Sequence, residues 1–225
     1  MKKSPAVLTL SFVGLLHPGC GGADGFLGED AVLHGEIEGW TRGPGYSLSA
    51  AVLRLPTATQ PLTSAPIRAS GSFDIELPSS GDIADAMTTG GVVGGGDGCS
   101  SVPTIAPADA KSAQLLLSVT KPGTTPAPLL LFSRKLGGLP HSGDTTASIL
   151  YTDRDSRIDG KLRCGTEGSS ASVDYHVTLR KGWNTILSRY QEVVISQTGT
   201  RIVAESFNGP LPPELTWQTG DPRSF

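Results

Sequence analysis

The chain is poor in aromatic residues (6%) and in charge (17% Asp, Glu, Lys and Arg), and it carries three cysteines in 225 residues. A highly charged disordered chain is excluded as a whole, because the charge is low and apolar residues gather into β-patterned runs. The net charge is −3, and loss of Lys2 and Lys3 with a leader would take it to −5. With no cluster of Lys and Arg, nucleic acid is not an expected partner, since phosphate neutralisation needs a concentrated basic surface. Neither Cys99 nor Cys164 has CxxC or Cys/His zinc spacing. No HExxH, paired catalytic carboxylates or SxxK in a plausible setting occurs. The glycine-dense stretch 88–101 (TTGGVVGGGDGCSS) has no following Lys and no strand–GxGxxG–helix setting, so a phosphate cradle is not expected there; a mobile loop pinned at Cys99 is.

What is abundant is turn chemistry. There are 29 Gly and 17 Pro, with many Ser and Thr. Turn-formers in this number, beside few strong helix-formers, point to short strands joined by turns.

The N-terminus reads as a leader. Met1-Lys2-Lys3 is a basic start, and residues 6–16 (AVLTLSFVGLL) form an uncharged apolar run of eleven. A bilayer needs ~20 residues, so this run has the length of a signal-peptide core instead. Leu15-Leu16-His17-Pro18-Gly19-Cys20 resembles a bacterial lipobox, which implies acylation at Cys20 (palmitate-type chains) and anchoring at a membrane surface. His17 and Pro18 depart from that pattern, and ordinary cleavage after Ala23 is the alternative. If lipid consumes Cys20, then Cys99 and Cys164 form an even pair for a disulfide; two unpaired thiols are the other reading.

Residues 21–30 read as a flexible tether, and strands follow. The expected strands are 31–38, 48–55, 72–77, 113–120, 128–132, 147–151, 157–163, 171–179, 184–188, 192–196 and 201–206. In 72–77, Phe73, Ile75 and Leu77 should face a core while Asp74 and Glu76 face water. In 172–179, Val173, Tyr175, Val177 and Leu179 share one face, and Asp174, His176 and Thr178 the other. Residues 80–87 (SGDIADAM) are the one helix candidate, with Ser80 or Asp82 as N-cap. Lys181-Gly182 turns the chain into Trp183, a large apolar anchor. Residues 209–217 are extended by their prolines and end on Trp217, which should pack on the sheets.

About eleven or twelve short strands at this spacing predict an all-β fold, one or two closely packed β-sandwiches of antiparallel strands. The expected organisation is a signal peptide over 1–19, a tether over 20–30, a first sandwich module over 31–79 and a helix with a Gly-rich loop over 80–110. A second module over 111–218 and a tail over 219–225 complete it.

Gly35-Glu36-Ile37-Glu38-Gly39-Trp40 and Ser70-Gly71-Ser72-Phe73-Asp74-Ile75-Glu76-Leu77-Pro78 resemble the carboxypeptidase-regulatory-like, transthyretin-like sandwich modules of exported bacterial proteins. The later part is similar to a set of uncharacterised bacterial lipoproteins. It shares Ile149-Leu150-Tyr151-Thr152-Asp153-Arg154-Asp155, a strand carrying Cys164, and Tyr175-His176-Val177-Thr178-Leu179-Arg180-Lys181-Gly182-Trp183-Asn184. These resemblances imply fold and compartment and no particular activity.

Candidate sites are few. Asp153, Asp155 and Asp159 offer three carboxylates over seven residues to Ca²⁺. The third ligand and turn glycine of an EF-hand fall where Arg157 and Ile158 stand, so a polar turn with local ion pairs is expected instead. Gly45-Tyr46-Ser47-Leu48-Ser49 begins like a nucleophile elbow but lacks the closing Gly and the helix. His34, His141 and His176 read as exposed, isolated side chains. A hydrolase would require Asp153, Asp155, His176 or Ser47 to converge in one cleft. Trp40, Trp183 and Trp217 are candidates for a carbohydrate groove, against the plainer role of core or edge plugs. The expectation is thus an exported, membrane-anchored envelope protein without cofactor or enzymatic activity. Its role would be structural or binding, towards an envelope polymer or a surface protein.

Overall fold

A computed structural model describes residues 24–53, 61–89, 98–133, 140–166 and 168–219. Along these run β1 (Phe26–Gly28), β2 (Val32–Glu36), β3 (Ser47–Val52), β4 (Thr63–Pro66) and β5 (Ser72–Glu76). After them come α1 (Ser80–Ile83), a 3₁₀ turn over Ala84–Ala86, β6 (Thr88–Thr89), β7 (Cys99–Ser101), β8 (Thr104–Ala106) and β9 (Lys111–Thr120). The rest are β10 (Ala127–Phe132), β11 (Thr145–Thr152), β12 (Ser156–Thr166), β13 (Ser169–Leu179), β14 (Gly182–Ser196), β15 (Gly199–Asn208) and β16 (Thr216–Thr219).

The fold is all-β, as the turn-rich composition requires. β2 and β5 pair with each other as a small antiparallel sheet. The large sheet has the order β4-β3-β9-β10-β11-β14-β15-β13-β12-β7, with β1 on β14, β16 on β10, β6 on β9 and β8 on β12. Alternation decides which side chains lie between the layers. In β5, Phe73 and Ile75 are buried while Asp74 and Glu76 are exposed. With Leu33 of β2 they form one hydrophobic cluster with Leu48, Leu117, Val119, Leu131, Tyr151, Trp183 and Trp217 of the large sheet. A second cluster (Leu150, Ile158, Val177, Leu179 and Ile186) is drawn from β11 to β14.

Several expectations change. The stretches 31–79 and 111–218 share one sheet: β3 pairs with β9 from Ser47↔Thr120 to Val52↔Leu115. Residues 184–188 and 192–196 belong to a single strand of 15 residues. Its register against β15 slips between Tyr190 and Glu192, a bulge that keeps the strand continuous. One pair is parallel, because the β14–β15 hairpin slots β15 beside β13. The tether is fixed where it is described. Phe26 pairs with Asn184, and Thr185 Oγ1 donates to the Gly25 carbonyl at 3.0 Å. Gly25 has φ +79°, and a Cβ there would lie 2.5 Å from Thr185 Oγ1, so glycine is required at this approach.

The helix occurs, but its N-cap is Ser79 rather than Ser80 or Asp82. Asp82 stands at N3, where its side chain returns a bond to the Ser79 N–H in a capping box. The glycine-dense loop is described only at its ends, where Cys99–Ser101 is strand. Thr216–Thr219 adds β16 to the end of the proline-extended segment.

Candidate functional site

Among the described residues, Cys99 and Cys164 are the predicted site residues that are joined covalently. Cys99 in β7 and Cys164 in β12 stand directly opposite one another and form a disulfide across 65 positions of sequence, with Cα atoms 3.9 Å apart. Cys20 lies outside the described residues.

The three carboxylates are held by separate sets of partners. Asp153 Oδ1 accepts the Lys111 N–H at 2.9 Å, and Arg154 reaches Asp153 Oδ2 at 3.1 Å and Asp109 at 2.7 Å. Partial burial pushes the Asp153 carboxyl up, but the Arg154 guanidinium and the Lys111 N–H outweigh it and hold it below the ordinary aspartate value. Asp155 accepts the Lys181 N–H at 2.9 Å, so it ties the 153–155 turn to the β13–β14 turn. Asp159 lies within β12 and pairs with Arg157. Among the described residues, no group of three or more His, Cys, Asp or Glu is placed to hold a metal ion.

The histidines are exposed as expected but not isolated. His34 Nδ1 lies 2.5 Å from Asp74 Oδ1, its cross-strand opposite in β5, and Arg68 pairs with the other oxygen. His176 sits 3.5 Å from Asp174 and 3.7 Å from Asp159, its opposite in β12. The His141 N–H is accepted by Asp144 at 2.7 Å. Ser47 faces Pro66 and Thr120 across its two neighbouring strands. Ser47, Asp153, Asp155 and His176 are thus engaged with different elements and do not form a nucleophile–base set.

Each tryptophan packs edge-on against a different aromatic ring. Trp183 is fully buried, meets Tyr151 at 5.2 Å and donates its Nε1–H to the Pro78 carbonyl at 3.1 Å. Trp217 is buried against Phe73, with ring centroids 5.6 Å apart. Trp40 is half-buried, meets Tyr46 at 5.2 Å and lies under the Arg42 guanidinium at 5.8 Å. No stacking platform of two tryptophans results, and Trp183 and Trp217 serve as core plugs.

The cavities follow from how the strands meet. β9 pairs with β11 over Ser112 to Gln114 and with β10 over Leu117 to Val119, while β10 meets β11 only at Leu131 and Phe132. A three-strand junction must leave a gap where no strand continues the ladder. Here it opens as a cavity of about 510 Å³, walled by Ala51, Leu116, Pro128, Leu130, Ile149 and Trp217 among others. A second space of about 140 Å³ lies beside the second hydrophobic cluster, bounded by Gln114, Ser148, Tyr175, Ser188 and Ser206 with Leu150, Ile158 and Ile186. Gln114 and Ser148 line both. Periodicity in single strands marks Leu115 and Leu117 as inward but says nothing of where three strands converge, so this site had no sequence signal. A third, wide-open hollow of about 600 Å³ lies at the disulfide, bordered by Lys161, Arg163 and Arg201.

Among the described residues, no helix is long and apolar enough to cross a membrane. Comparison with known proteins leaves the reading to these residues, for no family model, no curated protein and no solved structure matches the chain.

Proposed function

We propose that this chain is an exported, lipid-anchored protein of the bacterial cell envelope that acts by binding and not by catalysis. The observation that carries the reading is the Cys99–Cys164 disulfide. Disulfides persist in oxidising compartments outside the cytosol, and this one leaves Cys20 as the single unpaired cysteine. That cysteine stands where a basic start and an apolar run of leader length come to an end. The catalytic alternative draws no support from Ser47, Asp153, Asp155 and His176, whose partners lie on separate elements.

The test is the intact mass of the protein extracted from membranes, beside a Cys20→Ala variant. A mature chain beginning at Cys20 with added acyl mass, and a variant released from membranes, is the expected result. A chain that begins elsewhere and carries no lipid overturns the anchor.

A further inference from the structure

Resting on the reading of this chain as a binding protein, we infer that the β9–β10–β11 junction and the chamber behind it form one site for an uncharged amphiphile. Its hydrocarbon chain lies in the larger space and its small hydrogen-bonding head in the smaller one.

Four observations carry this. First, the larger cavity of about 510 Å³ falls within the ~300–1,000 Å³ of ordinary ligand pockets. Its wall is chiefly apolar and is contributed by both faces of the sheet. Ala51 and Leu116 are direct cross-strand opposites on one face, and Leu131 and Trp217 on the other. Second, the polar share of the lining rises along the site, from a larger space in which Ser49, Ser118 and Thr120 stand among mostly apolar residues to a smaller one lined mainly by polar side chains. Beyond Gln114 and Ser148, which belong to both spaces, the smaller chamber of about 140 Å³ adds the hydroxyls of Tyr175, Ser188 and Ser206. At ~30 Å³ per water this is room for a head of few polar atoms.

Third, the polar groups at this boundary are not used up by the fold. Ser188 and Ser206 bond one another at 2.8 Å. The side chains of Gln114, Ser148 and Tyr175 make no hydrogen bond among the described residues. The Tyr175 phenol is protonated at neutral pH and able to donate, and burial pushes its pKa further up. Fourth, no charged side chain lines either space among the described residues. A carboxylate or ammonium entering here would lose its hydration without gaining a counter-charge, whereas a hydroxyl, ester or amide would exchange water for Gln114, Ser148 and Tyr175. The site therefore selects against charge.

The probe is a monoacylglycerol carrying two bromines at mid-chain, titrated into the full chain freed of detergent and read by tryptophan fluorescence. Bromine beside Trp217 should quench it saturably. The matched brominated fatty acid at pH 8 should bind at least tenfold more weakly, and Trp217→Phe should remove the saturable quenching. Gln114→Leu, or Ser148→Ala should the first fold poorly, should weaken the monoacylglycerol several-fold and leave a brominated alkane without a head group unchanged. Absence of saturable quenching, quenching that survives Trp217→Phe, or equal affinity for the fatty acid overturns the assignment. Failure here with an acylated Cys20 in the mass spectrum overturns the ligand and spares the anchored protein; quenching by a chain without lipid does the reverse.

Discussion

Replacing Trp by Phe at positions 183 and 40 should affect stability unequally, with a clear loss at 183 and none at 40, because the same deleted N–H is paired at one site and orphaned at the other. Trp183 is fully buried and gives its Nε1–H to the Pro78 carbonyl at 3.1 Å. Trp183→Phe leaves that carbonyl without this donor, at a cost of ~1–3 kcal/mol. It also empties roughly 40 Å³, worth ~1 kcal/mol at ~24 cal/mol per Å³ if the neighbours do not collapse. The expected loss is ~2–4 kcal/mol. At position 40 the ring is half-buried, yet its Nε1 is fully shielded and has no partner among the described residues. Trp40→Phe removes a desolvated donor, a gain of ~1–3 kcal/mol. Against this stand ~1 kcal/mol of lost packing and up to ~1 kcal/mol of cation–π attraction to Arg42. The net should be neutral to mildly stabilising. Urea unfolding followed by far-ultraviolet circular dichroism, with the disulfide intact, reads both. With a slope of about 2 kcal/mol/M, Trp183→Phe lowers the midpoint by ~1–2 M and Trp40→Phe leaves it in place or raises it. Similar losses in both variants, at equal slope, would refute the claim that hydrogen-bond satisfaction separates the two sites.

Replacing Cys99 and Cys164 together by Ser should cost about 4 kcal/mol in the same assay by loop entropy, since the bridge closes 65 positions of sequence. A loss below about 1 kcal/mol would show that the unfolded chain is already constrained there. Gly35→Ala should destabilise by ~1–3 kcal/mol through overpacking, because a Cβ there would lie 2.5 Å from Trp217 Nε1 and 2.6 Å from the Phe73 ring; a neutral result would mean that the two layers separate easily. The hydrogen bond from His34, and then that from Arg68, hold the Asp74 carboxyl below the ordinary aspartate value. A depressed folded pKa means the contribution is present above the unfolded value of ~3.9 and lost as pH falls through the lower folded value. Asp74→Asn should therefore lower stability by a constant amount between pH 5 and 7 and close on the parent as pH falls below about 4, flattening the acid limb, and an unchanged acid limb would show that the pair contributes nothing.

Strands that bury a regular face were legible residue by residue. The alternation of Ser72-Phe73-Asp74-Ile75-Glu76 appears as buried and exposed positions in β5, and in β13 the exposed His176 and Thr178 alternate with the buried Val177 and Leu179. Trp183 is the apolar anchor that its place after Lys181-Gly182 indicated. Strands held by backbone pairing at an edge were not legible. β4 is Thr-Ser-Ala-Pro, and β7 and β8 have three residues each, so their side chains carry no apolar period. Nothing within 171–179 or 201–206 announces that those strands run parallel, since the side-chain period is the same for either direction. The histidines were misjudged for a related reason. Asp74 lies 40 residues from His34 and Asp159 lies 17 from His176, and only the register of the sheet makes them neighbours.

The placement of the disulfide follows from where the two hydrophobic clusters stop. β12 to β15 are 10 to 15 residues long, yet the described side chains of their outer halves are half-buried or exposed on both faces, with Ala204 the exception. The rows Leu162↔Val173↔Ala204 and Cys164↔Ala171↔Ile202↔Val193 give one face an apolar character. The other face carries the ion pairs Lys161–Asp174 and Arg201–Glu192. Exposed pairs of this kind contribute ~0–1 kcal/mol each. A single layer therefore relies on its ladder and its cross-strand pairs, and β7, with two register positions on β12, has the least of both. A covalent bond inside the first cluster would duplicate what Trp183 and its neighbours already hold. At Cys99–Cys164 it secures a strand otherwise held to β12 by a short ladder and by hydrogen bonds such as that from Ser101 to the Lys161 carbonyl. The stability of the outer sheet is thus tied to the redox state of its surroundings, while the two-layer region is tied to packing.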